Sequence, residues 1–229
     1  MRELSIFVDE SGSDGLADPD YILTIVFHDQ TNTLDRSIHL YERSLEQKNL
    51  PDIPMHTSPL MNRKGDYRFL DLTTRKKILS TFRVFFRHTP IKYYSFSFKT
   101  KQFNDLEDLS NAMKRELVNI AFDNLSTLQS YDSIKVYYDN GQKSIANCLH
   151  STIEFVLSRG VVVYRLASPA EYRLSQIADY ICAIELIAIK YAESRQSSTE
   201  EKFFGTKSDF KKGVFKEVRK KAIKSYNRL

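Results

Sequence analysis

The sequence predicts an α/β domain. Short β-branched and aromatic runs alternate with longer apolar stretches at helical spacing, and turn-forming clusters separate the two kinds. The chain has 229 residues, of which 41% are hydrophobic, which suits one domain or one domain with an appendage.

The elements follow in order. Leu4 to Asp9 and Tyr21 to Phe27 are strand-like and are joined by S-G-S-D-G-L-A-D-P-D, so they read as antiparallel neighbours. Thr33 to Asn49 carries Leu34, Ile38, Tyr41 and Leu45 at helical spacing, and Pro51 and Pro54 end it. Asp52 to Asp71 is polar and aperiodic, a long loop or small insertion of the functional kind. Thr73 or Thr74 opens a helix to about His88, with Ile78, Leu79, Phe82, Phe85 and Phe86 inward. Tyr93 to Lys99 alternates as a half-exposed strand, and Asp105 to Ser130 is a long amphipathic helix. Ile134 to Asp139 is a strand, Lys143 to Arg159 is helical, and Val161 to Ala167 is the fifth strand. Ser168-Pro169-Ala170-Glu171 has capping-box character, with Ser175 as a rival start, and opens a helix to about Arg195 that is apolar nearly all round. After a short linker, Asp209 to Ser225 reads as a basic amphipathic helix. The expected fold is a mixed five-stranded sheet flanked by helices: one domain over 1–195 with an inserted helical and loop region at about 33–90, then a linker and basic tail over 196–229.

Several classes are excluded by what the chain lacks. It has no run of about 18 apolar residues and no signal-like N-terminus, which argues against a membrane span and for the cytoplasm. Its two cysteines, Cys148 and Cys182, lie in apolar periodic segments and read as reduced core residues. Two cysteines and five scattered histidines offer nothing for a zinc ribbon, and neither dinucleotide nor P-loop glycine motif occurs.

The formal net charge of +5 is unevenly spread. From Lys202 to Leu229 there are ten Lys and Arg against two acids, which leaves 24 basic against 27 acidic residues in the remainder. In the tail, Phe210, Val214, Val218 and Ala222 recur at helical spacing among Lys211, Lys212, Lys216, Arg219 and Lys220. Three readings stand side by side: an apolar stripe docked on the body, an arm that tracks phosphates, and a membrane-surface helix weakened by the absence of Trp.

Three carboxylates interrupt the most apolar segments. Asp9 ends I-F-V-D, Asp139 ends V-Y-Y-D, and Asp179 sits within Q-I-A-D-Y-I-C. A buried Asp without a partner is costly, and three together repel unless a cation is shared; Mg²⁺ or Mn²⁺ suits carboxylates plus substrate phosphate. Each acid also has an ordinary reading: an Asx-turn for Asp9, an N-cap for Asp139, and a partner such as Arg for Asp179. Glu10 points to the opposite face from Asp9 if the strand continues, and is a second-tier ligand for metal or water. His56, in the aperiodic loop, orients water or phosphate or is merely exposed. Arg63 and Lys64 beside it are phosphate contacts or a solvated basic loop.

The pieces F-V-D-E-S-G at 7–12, P-M-H-T-S-P-L at 54–60, R-K-G-D-Y at 63–67, Y-Y-D-N-G-Q at 137–142 and L-S-Q-I-A-D at 174–179 resemble the domain of unknown function 3800 family, within the ribonuclease H-like superfamily. The resemblance implies a ribonuclease H-like fold with a two-metal site at Asp9, Asp139 and Asp179, assisted by Glu10, and hydrolysis of nucleic-acid phosphodiesters, RNA or DNA. Such folds also host inactive modules, so a nucleic-acid- or partner-binding role is the alternative, and phosphate-ester chemistry on nucleotides is a third.

Overall fold

A computed structural model describes the chain apart from residues 13–15, 139–147, 149–150, 153, 156–161, 167–171 and 224–229. The strands are β1 (Glu3–Ser11), β2 (Asp20–Asp29), β3 (Lys92–Lys99), β4 (Ser133–Tyr138) and β5 (Val162–Leu166), in the order β3-β2-β1-β4-β5. β2 runs antiparallel to β1 and to β3, whereas β4 is parallel to β1 and β5 to β4. The direct loop between β1 and β2 permits antiparallel pairing, and the long excursions before β4 and β5 permit parallel pairing.

Strand alternation sorts side chains onto two cores. Leu4, Ile6 and Val8 of β1 join Tyr21, Leu23 and Ile25 of β2 on one face, under α4 (Leu106–Asp123) and α5 (Leu125–Gln129). Phe7 of β1 and Val26 of β2 face the other side, against α1 (Asp35–Gln47), α2 (Thr57–Asn62), α3 (Leu72–His88) and α6 (Arg173–Ala192). Asp9 is two residues beyond Phe7 and so takes the α6 side.

Some expected elements differ in detail. The aperiodic stretch after Pro51 contains α2 and a 3₁₀ turn at Gly65–Tyr67; Arg75, buried in α3, donates to the carbonyl oxygens of Leu60 and Met61 at 2.8 and 2.6 Å. These tertiary bonds hold a helix too short for periodicity to reveal. The long helix breaks at Asn124 into α4 and α5. α3 starts at Leu72, with the Asp71 carboxylate accepting from the Thr74 backbone N–H at 2.6 Å. α6 starts at Arg173, and the proposed capping box at 168–171 lies outside the described residues, as do Asp139, Asn140 and Gln142.

The C-terminal segment is three short pieces rather than one helix: α7 (Ser198–Phe204), α8 (Lys207–Phe210), and, after a π-helical turn at Lys211–Phe215, α9 (Lys216–Arg219). Gly213, at φ −92° and ψ −108°, departs from helical geometry and breaks the run. Phe210, Val214 and Val218 are buried in the α6-side core, and Phe210 stacks on Tyr191 with centroids 4.7 Å apart. Glu185 of α6 accepts from the Tyr93 hydroxyl at 2.5 Å and pairs with Arg219 at 3.2 Å.

At the other end of α6, Asp20 is 2% exposed and pairs with Lys99, at 2.6 Å, and with Arg195. Burial opposes ionisation of Asp20, but the hydrogen bonds from Lys99 and Arg195 outweigh it and hold its carboxyl below the usual range. A depressed folded-state pKa contributes stability that is complete above the unfolded value, about 3.9, and is lost as pH falls through the folded one. Asp20→Asn is therefore expected to destabilise the protein at neutral pH, with the gap from wild type narrowing below about pH 4. Urea midpoints measured between pH 7 and pH 3 check this, and a gap that widened on acidification would contradict it.

Candidate functional site

Asp9 of β1 and Asp179 of α6, separated by most of the sequence, lie on the same side of the sheet, where α6 packs against β1 and β2. Thr24 of β2 sits directly opposite Asp9 in the β1–β2 register and is fully buried. Directly opposed residues have Cβ atoms about 5 Å apart. Cys182 of α6 is buried against this spot; its thiol hydrogen-bonds to Thr24 and lies 3.9 Å from the Ile22 carbonyl oxygen. Asp179 lies three residues before Cys182, on the same helical face about one turn away.

The Cys182 thiol reports on its surroundings. Burial pushes it well above its ordinary value, the charge of Asp9 adds most to that among the carboxylates, the Thr24 hydrogen bond opposes it, and Asp179 and Glu10 add the rest.

Asp179 is held by α2. Its Oδ2 accepts from the Thr57 backbone N–H at 2.7 Å and from the Thr57 hydroxyl at 2.8 Å, and its Oδ1 lies 3.4 Å from Nδ1 of His56. Thr57 is fully buried, whereas the Asp179 side chain is 21% exposed and that of His56 40% exposed. Among the described residues, the partners of Asp179 are thus a threonine and a histidine. Behind them, the Tyr67 hydroxyl donates to the Pro54 carbonyl at 2.9 Å and accepts from the His56 backbone N–H at 3.3 Å. Burial raises the Tyr67 phenol to about 12, with the His56 backbone bond opposing and the Asp179 charge adding.

Glu10 faces the α4 side, where the Tyr21 hydroxyl donates to its Oε2 at 2.5 Å. Gly12 follows at φ +149°, and a Cβ there would come 2.6 Å from the Tyr21 ring, so the S-G after the acids is required by the tyrosine that holds Glu10.

Carboxylate oxygens suit a hard cation such as Mg²⁺. Among the described residues, no group of three or more His, Cys, Asp and Glu is arranged to hold a metal ion. The donor chemistry fits, and the described residues by themselves do not bring three such donors together.

The basic residues lie elsewhere. Arg63, in the left-handed conformation at φ 58°, ends α2 and donates from Nε to the Arg68 carbonyl at 2.9 Å; Lys64 is exposed beside it. Lys211, Lys212, Lys216 and Lys220 are exposed, and the Arg219 guanidinium is engaged by Glu185. Sequence reasoning missed Thr57, Thr24, Cys182 and Tyr67, whose roles arise from contacts across the fold. The one local signal was Thr57 itself, beside His56 at the start of a short Pro-containing helix.

No protein-family model matches the chain, and no curated protein matches it significantly. Among solved structures, the crystal structure of the ribonuclease H2 from Pyrococcus horikoshii OT3 aligns at a TM-score of 0.41 and 14% identity, covering 92% of this chain and 100% of that one. A likeness of that size says nothing about chemistry. Among the described residues, no helix is long and apolar enough to cross a membrane.

Proposed function

We propose that this protein is a cytoplasmic, metal-dependent nuclease of ribonuclease H-like fold that hydrolyses phosphodiester bonds of RNA or DNA. The carrying observation is that Asp9 and Asp179 share the side of the sheet on which α6 packs against β1, with His56 set against Asp179 at 3.4 Å. The sheet order, with antiparallel β1–β2–β3 followed by parallel β4 and β5, agrees with the mixed sheet that the family resemblance implies.

In this reading Asp9, Asp179 and Asp139 hold Mg²⁺ or Mn²⁺, which supplies charge stabilisation for the phosphodiester and activation of water. Thr57 bonds Asp179 Oδ2 twice, which fixes the carboxylate and leaves Oδ1 beside His56. His56, anchored through Tyr67 and set against that Oδ1, orients water or phosphate at the exposed side. Glu10 positions the end of β1 through Tyr21. Arg63, Lys64, Lys211, Lys212, Lys216 and Lys220 provide sequence-independent, salt-sensitive attraction for the nucleic-acid backbone, with Arg219 the weakest contributor because Glu185 already engages it.

The test is cleavage of single- and double-stranded RNA and DNA by the full chain in Mg²⁺, Mn²⁺ and chelator. Cleavage is expected in at least one metal and none in chelator. Inertness on every substrate and metal would overturn the enzyme reading.

A second reading is favoured by the double bond from Thr57: Asp179 serves to cap α2, and the fold is a catalytically inactive nucleic-acid- or partner-binding module. It predicts salt-sensitive nucleic-acid binding with no turnover.

A further inference from the structure

The far edge of the sheet from Asp9 and Asp179 holds a cavity of about 720 Å³, bounded by the start of β1, the end of β2, the start of β3 and the C-terminal segment. That volume falls in the range of small-molecule sites, roughly 300–1,000 Å³. Its floor is apolar, formed by Leu4, Phe27, Ile91, Leu128 and Ile223, with Tyr131 at the side.

Its rim is cationic. Arg87, Lys92, Lys220 and Lys221 line it, and the two acids present are already engaged. Asp29 accepts from Arg2, Tyr131 and Thr31, using both oxygens. Glu217 receives Arg83 on both oxygens, at 3.2 and 2.9 Å, with Arg87 3.9 Å away. Among the described residues, no carboxylate pairs with Lys92, Lys220 or Lys221.

The wall carrying these lysines is built into the fold. The Tyr93 backbone N–H donates to the Lys221 carbonyl at 3.2 Å, and the Ile223 N–H donates to the Tyr93 carbonyl at 2.9 Å, making a parallel bridge at Ala222. Lys221 and Ile223, on either side of this bridge, both line the cavity. Lys221 Nζ donates to the Thr89 carbonyl at 2.5 Å and lies 5.4 Å from the centre of the Phe86 ring. Burial, and then the neighbouring Lys92, push its ammonium down to about 8, a strain on the charged form that a bound anion would relieve. Asn32, Asn124 and Thr127 add hydrogen-bonding groups along the opposite wall.

We propose that this cavity binds a nucleoside monophosphate, its phosphate on Lys92, Lys220 and Lys221 and its base on the apolar floor, at a site separate from the Asp9–Asp179 niche. A planar base with a polar edge suits an apolar floor flanked by amides, and a phosphate suits a rim of lysines that no carboxylate among the described residues pairs with.

The test is calorimetric titration of the full chain with AMP and UMP, with inorganic phosphate and adenosine as comparison ligands. At least one monophosphate is expected to bind at least about 10-fold more tightly than phosphate or adenosine, as each half of the site requires. The exposed double substitution Lys92→Gln with Lys220→Gln should weaken it by at least about 10-fold without changing the ligand-free melting temperature, and Asp179→Asn should leave it unchanged. No monophosphate binding at millimolar concentration, phosphate or adenosine binding as tightly as both monophosphates, or loss in Asp179→Asn but not in the lysine variant would each overturn the proposal. Because Asp179→Asn tests the carboxylate niche alone, failure of one site is distinguishable from failure of the other.

Discussion

Asp179→Asn is expected to lower divalent-metal-dependent cleavage by more than about 100-fold while leaving the protein as stable as wild type, or slightly more so. Losing even an outer partner of a metal ligand typically costs about 10- to 100-fold, and in the proposed nuclease this substitution removes a ligand charge itself. Structurally it is mild, because the asparagine carbonyl oxygen still accepts the Thr57 N–H and hydroxyl that now bond Oδ2 at 2.7 and 2.8 Å. Removing the charge of the largely buried Asp179 side chain also removes its desolvation cost. The substitution therefore separates the two readings of Asp179. If capping α2 were its whole role, Asn would substitute freely in function, whereas Asp179→Ala would leave the buried Thr57 hydroxyl and N–H without an acceptor and destabilise the protein. Cleavage rates in Mn²⁺ and Mg²⁺, with melting temperatures for both variants, decide the matter, and wild-type activity in Asp179→Asn would remove Asp179 from the chemistry.

Phe82→Ala is expected to cost about 3–5 kcal/mol of unfolding free energy, a large share of the stability of a typical domain. Phe82 is fully buried in α3 and makes edge-on contacts with Tyr41 of α1, Phe85 of its own helix and Tyr180 of α6, at centroid distances of 5.8, 5.7 and 5.6 Å. Deleting the ring opens a cavity between three helices that cannot all close on it, since each is also fixed elsewhere: α6 to β1 and β2, and α3 to α2 through Arg75. Urea unfolding should show a lower midpoint with an unchanged denaturant slope, and a loss below about 1 kcal/mol would show that the cluster collapses around the gap.

Much of the fold was readable where the pattern repeats. The alternation of Leu4, Ile6 and Val8 against Phe7 sets both faces of β1, and the stretch around Ile78, Phe82 and Phe85 sets the inward face of α3. Reading failed where the determining contact is distant. α2 owes its place to Asp179 and Arg75, residues well away in the chain, and the C-terminal helix breaks at Gly213 because its apolar side chains are drawn onto α6 and β3.

The site divides in the same way. Which acids are out of place is legible without any structure, because an Asp in an apolar segment is visible from its neighbours alone: Asp9 after Ile6-Phe7-Val8, and Asp179 within Ile177-Ala178-Asp-Tyr180-Ile181. It took the folded chain to put Asp9 and Asp179 on the same side of the sheet, to make Thr57 and His56 partners of Asp179, and to draw Glu10 to Tyr21 on the other face. The reason is physical: hydrophobic periodicity is local and survives in one dimension, whereas hydrogen bonds and charge proximity depend on a strand register and a helix packing that only the folded chain defines.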